Sequence, residues 1–264
     1  MKSTLAQIED IKKNGYSLDF SNVFNHAFEN YKKIALYSGL IILVFSIIAL
    51  MVYMGVLIAY FGVESLTRDF ITEFSNQKFT GLELVIQTVS VSAIAGIIAP
   101  FSAGFLKMAD CADRDVEFNV STIFTYYKGR YLAQLFVVAF IPSLIGTALS
   151  NLVDSYDILY VGNVISFMVS YFMYLSIPLI IFGNLNAVDA IKSSIIIVTK
   201  NPLNIFAFFI IGFIGSLVGL VGCCVGIIFT VVFNSSMIYA TYFAIFGIDE
   251  DEDSIDSIGQ SNVD

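Results

Sequence analysis

From Asn201 to Ile248 the chain runs forty-eight residues without an Asp, Glu, Lys, Arg or His. As a single helix this stretch would be about 72 Å long at 1.5 Å per residue, against a hydrocarbon core of about 30 Å, so it must fold back on itself. Gly219, Gly222 and Gly226, around GLVGCCVG, mark the turn and predict spans near 203–218 and 225–246. Earlier uncharged runs predict four more, at about 34–63, 84–106, 131–153 and 158–184. The chain therefore reads as an all-α polytopic membrane protein with six transmembrane helices, residues 17–248 forming the membrane domain. Only 13% of its residues are charged, about half the fraction of a soluble domain. The alternating ten-residue segments of a membrane β-barrel are absent.

Three charged, amphipathic stretches separate the runs. The clearest is AVDAIKSSIIIVTKNPLNIFAFFII, from Ala187 to Ile211. Val188, Ile191, Ile195 and Val198 recur at helical spacing, with Asp189, Lys192, Ser193 and Lys200 on another side. Asn201-Pro202 breaks this helix and suits the start of the next, because proline excludes α geometry before it and needs no N–H in a first turn. The spacing predicts an elbow: an interfacial helix, a corner, then a span. DFSNVFNHAFENYKK, after a candidate N-cap at Asp19, and VSTIFTYYKGRY, with Gly129 at its corner, read as two further elbows. FSNVF at Phe20–Phe24 matches VSTIF at Val120–Phe124, which suggests a threefold internal repeat. Pro100, Pro142 and Pro178 fall within spans and predict kinks, the first near Ile97.

Lys and Arg number eleven in the N-terminal segment and the segments after spans two and four, against two in the alternate loops. That bias places both termini and all three elbows on the cytoplasmic side of a bacterial inner membrane. The first twenty residues lack the apolar region of a cleavable signal peptide, so none is expected. Residues 1–16 are polar. The net charge of −9 comes largely from 249–264, where seven of the twenty-two acidic residues lie, and this tail reads as disordered.

AIKSSIIIVTKNPLNIF, IIAPFSAGF and FNSSMIYATYFAIFG together resemble a bacterial family of six-span inner-membrane proteins. Its core also occurs fused to glycerophosphodiester phosphodiesterases as their membrane domain. The resemblance runs over about Ser17 to Gly247 and implies the six-span fold. It implies no catalytic or binding residues, and the histidine and carboxylate pattern of the phosphodiesterase has no counterpart here.

No Asp, Glu, Lys or Arg falls inside a predicted span, which argues against a proton relay. His26 is the only histidine and reads as a solvated surface residue, so neither a zinc site nor a Ser-His-Asp triad is expected. The three cysteines read as packing residues. No cofactor and no nucleic-acid partner is expected, and the chain does not read as an enzyme. The remaining candidates are uncharged polar residues at membrane depth: Asn234, Ser235 and Ser236 in span six, Gln87, Ser90 and Ser92 in span two, and Asn163, Ser166 and Ser170 in span four. They either line a cleft between the inward spans or make interhelical hydrogen bonds. Lys32, Lys33, Lys128, Arg130, Lys192 and Lys200 end the elbows and are candidate contacts to lipid headgroups. Membrane lipids and other membrane subunits are the expected partners. The sequence favours a non-enzymatic component that organises lipids or a membrane complex. The alternative is a permease for a small amphiphile, using the space between the inward spans.

Overall fold

In the computed structural model the described residues are 3–63, 67, 72, 79–154, 160–222 and 225–247. Most of the loop between spans one and two, the turn near Asp157, Cys223, Cys224 and the acidic tail lie outside them. Among the described residues there is no strand, and six helical segments are long and apolar enough to cross a membrane. They are Phe20–Phe61, Leu82–Asp113, Gly129–Val153, Val161–Ile181, Pro202–Leu220 and Gly226–Phe246.

In chain order the helices are α1 (Thr4–Asn14), α2 (Phe20–Phe61), α3 (Leu82–Asp113), α4 (Val120–Ile123), α5 (Gly129–Asp154), α6 (Val161–Phe172), α7 (Ser176–Ile181), α8 (Ala187–Lys200), α9 (Pro202–Leu217), α10 (Val225–Thr230) and α11 (Val232–Phe246). Spans four and six are thus each built from two helices. Neighbouring spans run antiparallel: Asn151 of α5 donates to Thr88 near the start of α3, and Thr230 donates to the Ser216 carbonyl across the span five–six hairpin. At that hairpin a Cβ added to Gly219 would lie 2.2 Å from the Gly226 backbone, so the two chains approach as only glycine permits.

The three amphipathic stretches do not fold alike. Asn186 caps α8 by accepting from the Asp189 N–H, and Asn201 turns the chain at φ −140° and ψ 64° into Pro202, the first residue of α9. The second stretch is a single turn, α4, followed by a 3-10 turn at Thr125–Tyr127 and a corner at Gly129, where φ is +63°. The first has no corner. Asp19 does cap α2, but the helix then runs without a break for 42 residues, about 63 Å. The lysine pair expected to end an interfacial helix lies inside it. Lys33 donates to the Ala112 carbonyl at the end of α3 and pairs with Asp115, so the helix has no need to stop there.

α8 also packs differently from its polarity pattern. The face it buries is Ala187, Ala190, Ser193, Ser194, Ile197 and Val198, so Ser193 is not on a solvated side. Val188, Lys192, Ile195 and Thr199 stay exposed along one stripe, with Lys200 beyond it. Small residues pack closely where larger ones would hold helices apart. The α8 N-terminus is tied down as well, since the Ala187 N–H donates to Gln134 of α5.

α11 is the central helix. It packs on α2, α3, α7 and α9, and nine of its fifteen residues are buried. Around it the core gathers toward the end where the elbows and most charges lie.

Candidate functional site

Spans two, four and six run in the same direction, toward the charged end, and each departs from a plain helix where the three meet. In span two α3 runs unbroken through Pro100, which has no N–H to donate and leaves the Gly96 carbonyl without its helical donor. The Tyr127 hydroxyl, held in the 3-10 turn, donates to the Ile97 carbonyl at 3.0 Å, one residue after that free carbonyl. In span four the helix opens between Phe172 and Ser176. Ser194 of α8, fully buried, closes it from both sides: its hydroxyl donates to the Phe172 carbonyl and accepts from the Leu175 N–H. In span six, Val231 separates α10 from α11.

Between these three spans lies a cavity of about 430 Å3, within the roughly 300–1,000 Å3 of small-ligand sites. Span two contributes Phe101, Ser102 and Phe105, span four Tyr174 and Pro178, and span six Asn234, Ser235 and Ile238. Its lining is mostly apolar. Asn234 also rests against Gly212, where an added Cβ would lie 2.5 Å from Oδ1. The Tyr174 hydroxyl is buried beside Thr241, whose own hydroxyl donates to the Met237 carbonyl and leaves its oxygen able to accept from the tyrosine.

A second cavity, about 490 Å3, lies nearer the charged end of the same three spans and shares no lining residue with the first. Lys107, Ile181 and Tyr242 stand on its walls, with Ser3, Thr4 and Gln7 from the N-terminal segment. Here the lining is predominantly polar and includes Lys107, Asp110, Arg114, Asn184 and Gln7. The Asp110 side chain is only 6% exposed and accepts from Lys107 at 2.6 Å and from Arg114 Nε at 3.0 Å.

Beside it, α2 joins α3 and α11 through a buried polar chain. Asn30, 2% exposed, donates to the Ala109 carbonyl and accepts from Ser236. His26 shares a 2.8 Å hydrogen bond with Asp113, which also accepts from Tyr239. His26 is therefore half-buried between helices and not solvated as its lone position suggested. Reading MADCADRD as a continued helix would have revealed part of this site, since Lys107, Asp110 and Arg114 stand three and four residues apart. The Asn30 and His26 pairings had no signal in the sequence, because the partners lie 79 to 206 residues away.

The sequence candidates separate. Asn234 and Ser235 share the apolar cavity, whereas Ser236 faces Asn30. Ser166 and Ser170 line a third cavity, of about 400 Å3, with Pro142 and Ser143 of α5. Ser92 is buried and donates to the Thr88 carbonyl of its own helix. Gln87 is half-buried, and Ser90 and Asn163 are exposed. Of the cations, Lys32 pairs with Glu29 and Lys33 with Asp115, and Arg130 donates to Asn184. Lys128, Lys192 and Lys200 are exposed and make no polar side-chain contact among the described residues. Among those residues no three His, Cys, Asp or Glu side chains are grouped to hold a metal ion.

Burial raises the Tyr16 and Tyr126 phenols above their ordinary range, which keeps them protonated as donors. Tyr16 uses this at the α8 corner, donating to the Ile197 carbonyl, while Tyr171 donates to the Pro202 carbonyl. No family model, curated protein or solved structure matches this chain.

Proposed function

We propose that this multi-pass membrane protein is a non-enzymatic component that holds a lipid-like amphiphile between spans two, four and six. The observation that carries this reading is the 430 Å3 cavity reaching Asn234 and Ser235 where the three spans meet. An apolar lining with a few convergent polar groups is the composition of a small-molecule site. The charge bias puts the elbow end on the cytoplasmic side of a bacterial inner membrane. There α8 would lie in the interface, its exposed stripe of Val188, Lys192, Ile195 and Thr199 at the level of the headgroups. This architecture accords with the resemblance to the six-span family. A permease for a small amphiphile is the second reading, favoured by a polar cavity on the same three spans.

Photo-cross-linking tests the occupant. Cells grown on a bifunctional fatty acid should yield adducts on peptides carrying Phe101–Leu106 and Val231–Ile238. Adducts confined to the exposed outer half of α2 would defeat the proposal. Sidedness needs an introduced reporter, because Cys111 is buried. Lys192→Cys should resist an impermeant thiol reagent in intact spheroplasts, and labelling without lysis would reverse the orientation.

A further inference from the structure

Spans three and four touch at Gly146 and Val169, where an added Cβ would lie 3.6 Å from the valine. Beside that contact they part around the cavity of about 400 Å3. Its walls carry hydroxyls from both spans: Ser143 and Thr147 of α5, Ser166 and Ser170 of α6, and Ser176 of α7. Ser143 and Thr147 stand four residues apart, as do Ser166 and Ser170, so each pair shares one face of its helix. Ser170 and Ser176 donate to carbonyls of their own span, those of Ser166 and Met173. Ser143, Thr147 and Ser166 make no side-chain hydrogen bond among the described residues. Pro142, buried on the same wall, has no N–H, which leaves the carbonyl of Val138 without its helical donor. Val138 lines the cavity too. The space is thus bordered by three hydroxyls and a carbonyl that the helices leave unmatched, at a depth where unmatched polar groups are costly.

No residue on these walls is ionisable, so a charged group would enter without a counter-charge and bear the full cost of leaving water. Ser170, the tenth of the twenty-one residues of span four, is exposed, which sets the mouth of the cavity at mid-depth on the surface that meets lipid. A water-borne solute does not arrive by that route. What matches the walls is a lipid without a charged head that can both donate and accept, since hydroxyls do either and the Val138 carbonyl only accepts. We propose that the cavity between spans three and four is a second lipid site, selective for an uncharged lipid with a free hydroxyl, of the diacylglycerol class. The lipid hydroxyl supplies the donor that Pro142 lacks, and its ester carbonyls accept from Thr147 and the unmatched serines. The site is separate from the cavity at Asn234, with which it shares only Ile177, and it stands whether or not that cavity is filled.

The test labels the full chain, purified in neutral detergent, with a photoactivatable diacylglycerol and maps the adducts by peptide. They should fall on Val138–Thr147 and Ser166–Ile177. Competition then isolates the chemistry, because dioleoylglycerol, trioleoylglycerol and dioleoyl phosphatidic acid differ at one position: a free hydroxyl, an ester or a phosphate. We expect dioleoylglycerol to displace the probe about tenfold better than either of the others, the scale of one or two hydrogen bonds. Ser143→Ala/Thr147→Val/Ser166→Ala keeps the shape of the walls and removes the unmatched hydroxyls, and it should bind dioleoylglycerol about tenfold more weakly than wild type. Ser166→Phe, which fills the cavity, gives an independent check and should lose both adducts. Equal displacement by trioleoylglycerol, wild-type affinity in the triple variant, or adducts that survive Ser166→Phe would each overturn the inference.

Discussion

The two halves of α2 belong to one unbroken helix and have opposite surroundings. From Phe20 to Ile41 one stripe is buried: Val23, Ala27, Asn30, Ile34, Ser38 and Ile41, packed on α3 and α11. From Ile42 to Phe61 no residue is buried, and Val44, Ile47, Met51 and Tyr60 stand exposed. The packed half is the one with the small and polar residues. In a bilayer, lipid tails solvate Leu and Ile as well as another helix does, so association comes from close packing and hydrogen bonds. Apolar length marks where a helix meets lipid, and interspersed Ala, Asn and Ser mark where it meets protein.

Glycine substitutions test this contrast most severely. At Gly104, in the packed region of α3, an added Cβ would lie 2.4 Å from the Ile123 carbonyl oxygen, a backbone atom that cannot swing aside. At Gly55, in the exposed half of α2, nothing lies within 4 Å. Gly104→Leu should abolish recovery of monodisperse protein on size exclusion, and Gly55→Leu should elute as wild type. The contrast breaks if both behave alike.

Asn30→Leu comes next. It removes two buried hydrogen bonds and leaves Ser236 without its acceptor, a cost of about 1–3 kcal/mol in thermal unfolding. Combined with Ser236→Ala, the loss should be less than additive. Ile47→Ala, in the exposed half, should change stability by less than about 0.5 kcal/mol. A large loss at Ile47 would mean that another subunit covers the outer half.

The tyrosine hydroxyls at the proline sites should contribute less. Tyr127→Phe and Tyr16→Phe each remove one bond to a backbone carbonyl, worth about 0.5–1.5 kcal/mol. Faster hydrogen exchange confined to the turn around Pro100, or to the end of α8, would locate the effect, and unchanged exchange would remove these tyrosines from the account. Smallest of all is Lys32→Gln. Its pair with Glu29 is half exposed, and its loss should fall within about 0.5 kcal/mol.

The span pattern was legible because it depends on local chemistry. Charge-free runs, the Asn201-Pro202 corner and the Gly129 corner are each decided within a few residues. The continuity of α2 was not, because Lys32 and Lys33 look like a terminus until Ala112 and Asp115 are beside them. Asn234 and Ser235 were visible as polar residues at depth, but their shared cavity depends on three separate spans coming together. The carbonyls of Ile97 and, at the opening in span four, Phe172 accept from Tyr127 and from Ser194 of α8, which no local pattern pairs with them. The face of α8 was misread for a related reason. The sequence divides that helix into apolar and polar sides, and the protein packs on the small residues between them.

The central claim is that the space between spans two, four and six is occupied by an amphiphile. Native mass spectrometry of the gently solubilised protein tests it most directly, comparing wild type with Ser102→Phe/Ser235→Phe, in which both cavity walls are filled. The account predicts that wild type carries a tightly held lipid-mass adduct and that the filled variant, folded and equally stable, has lost it. Identical adducts on both proteins, or none on either, would contradict the account.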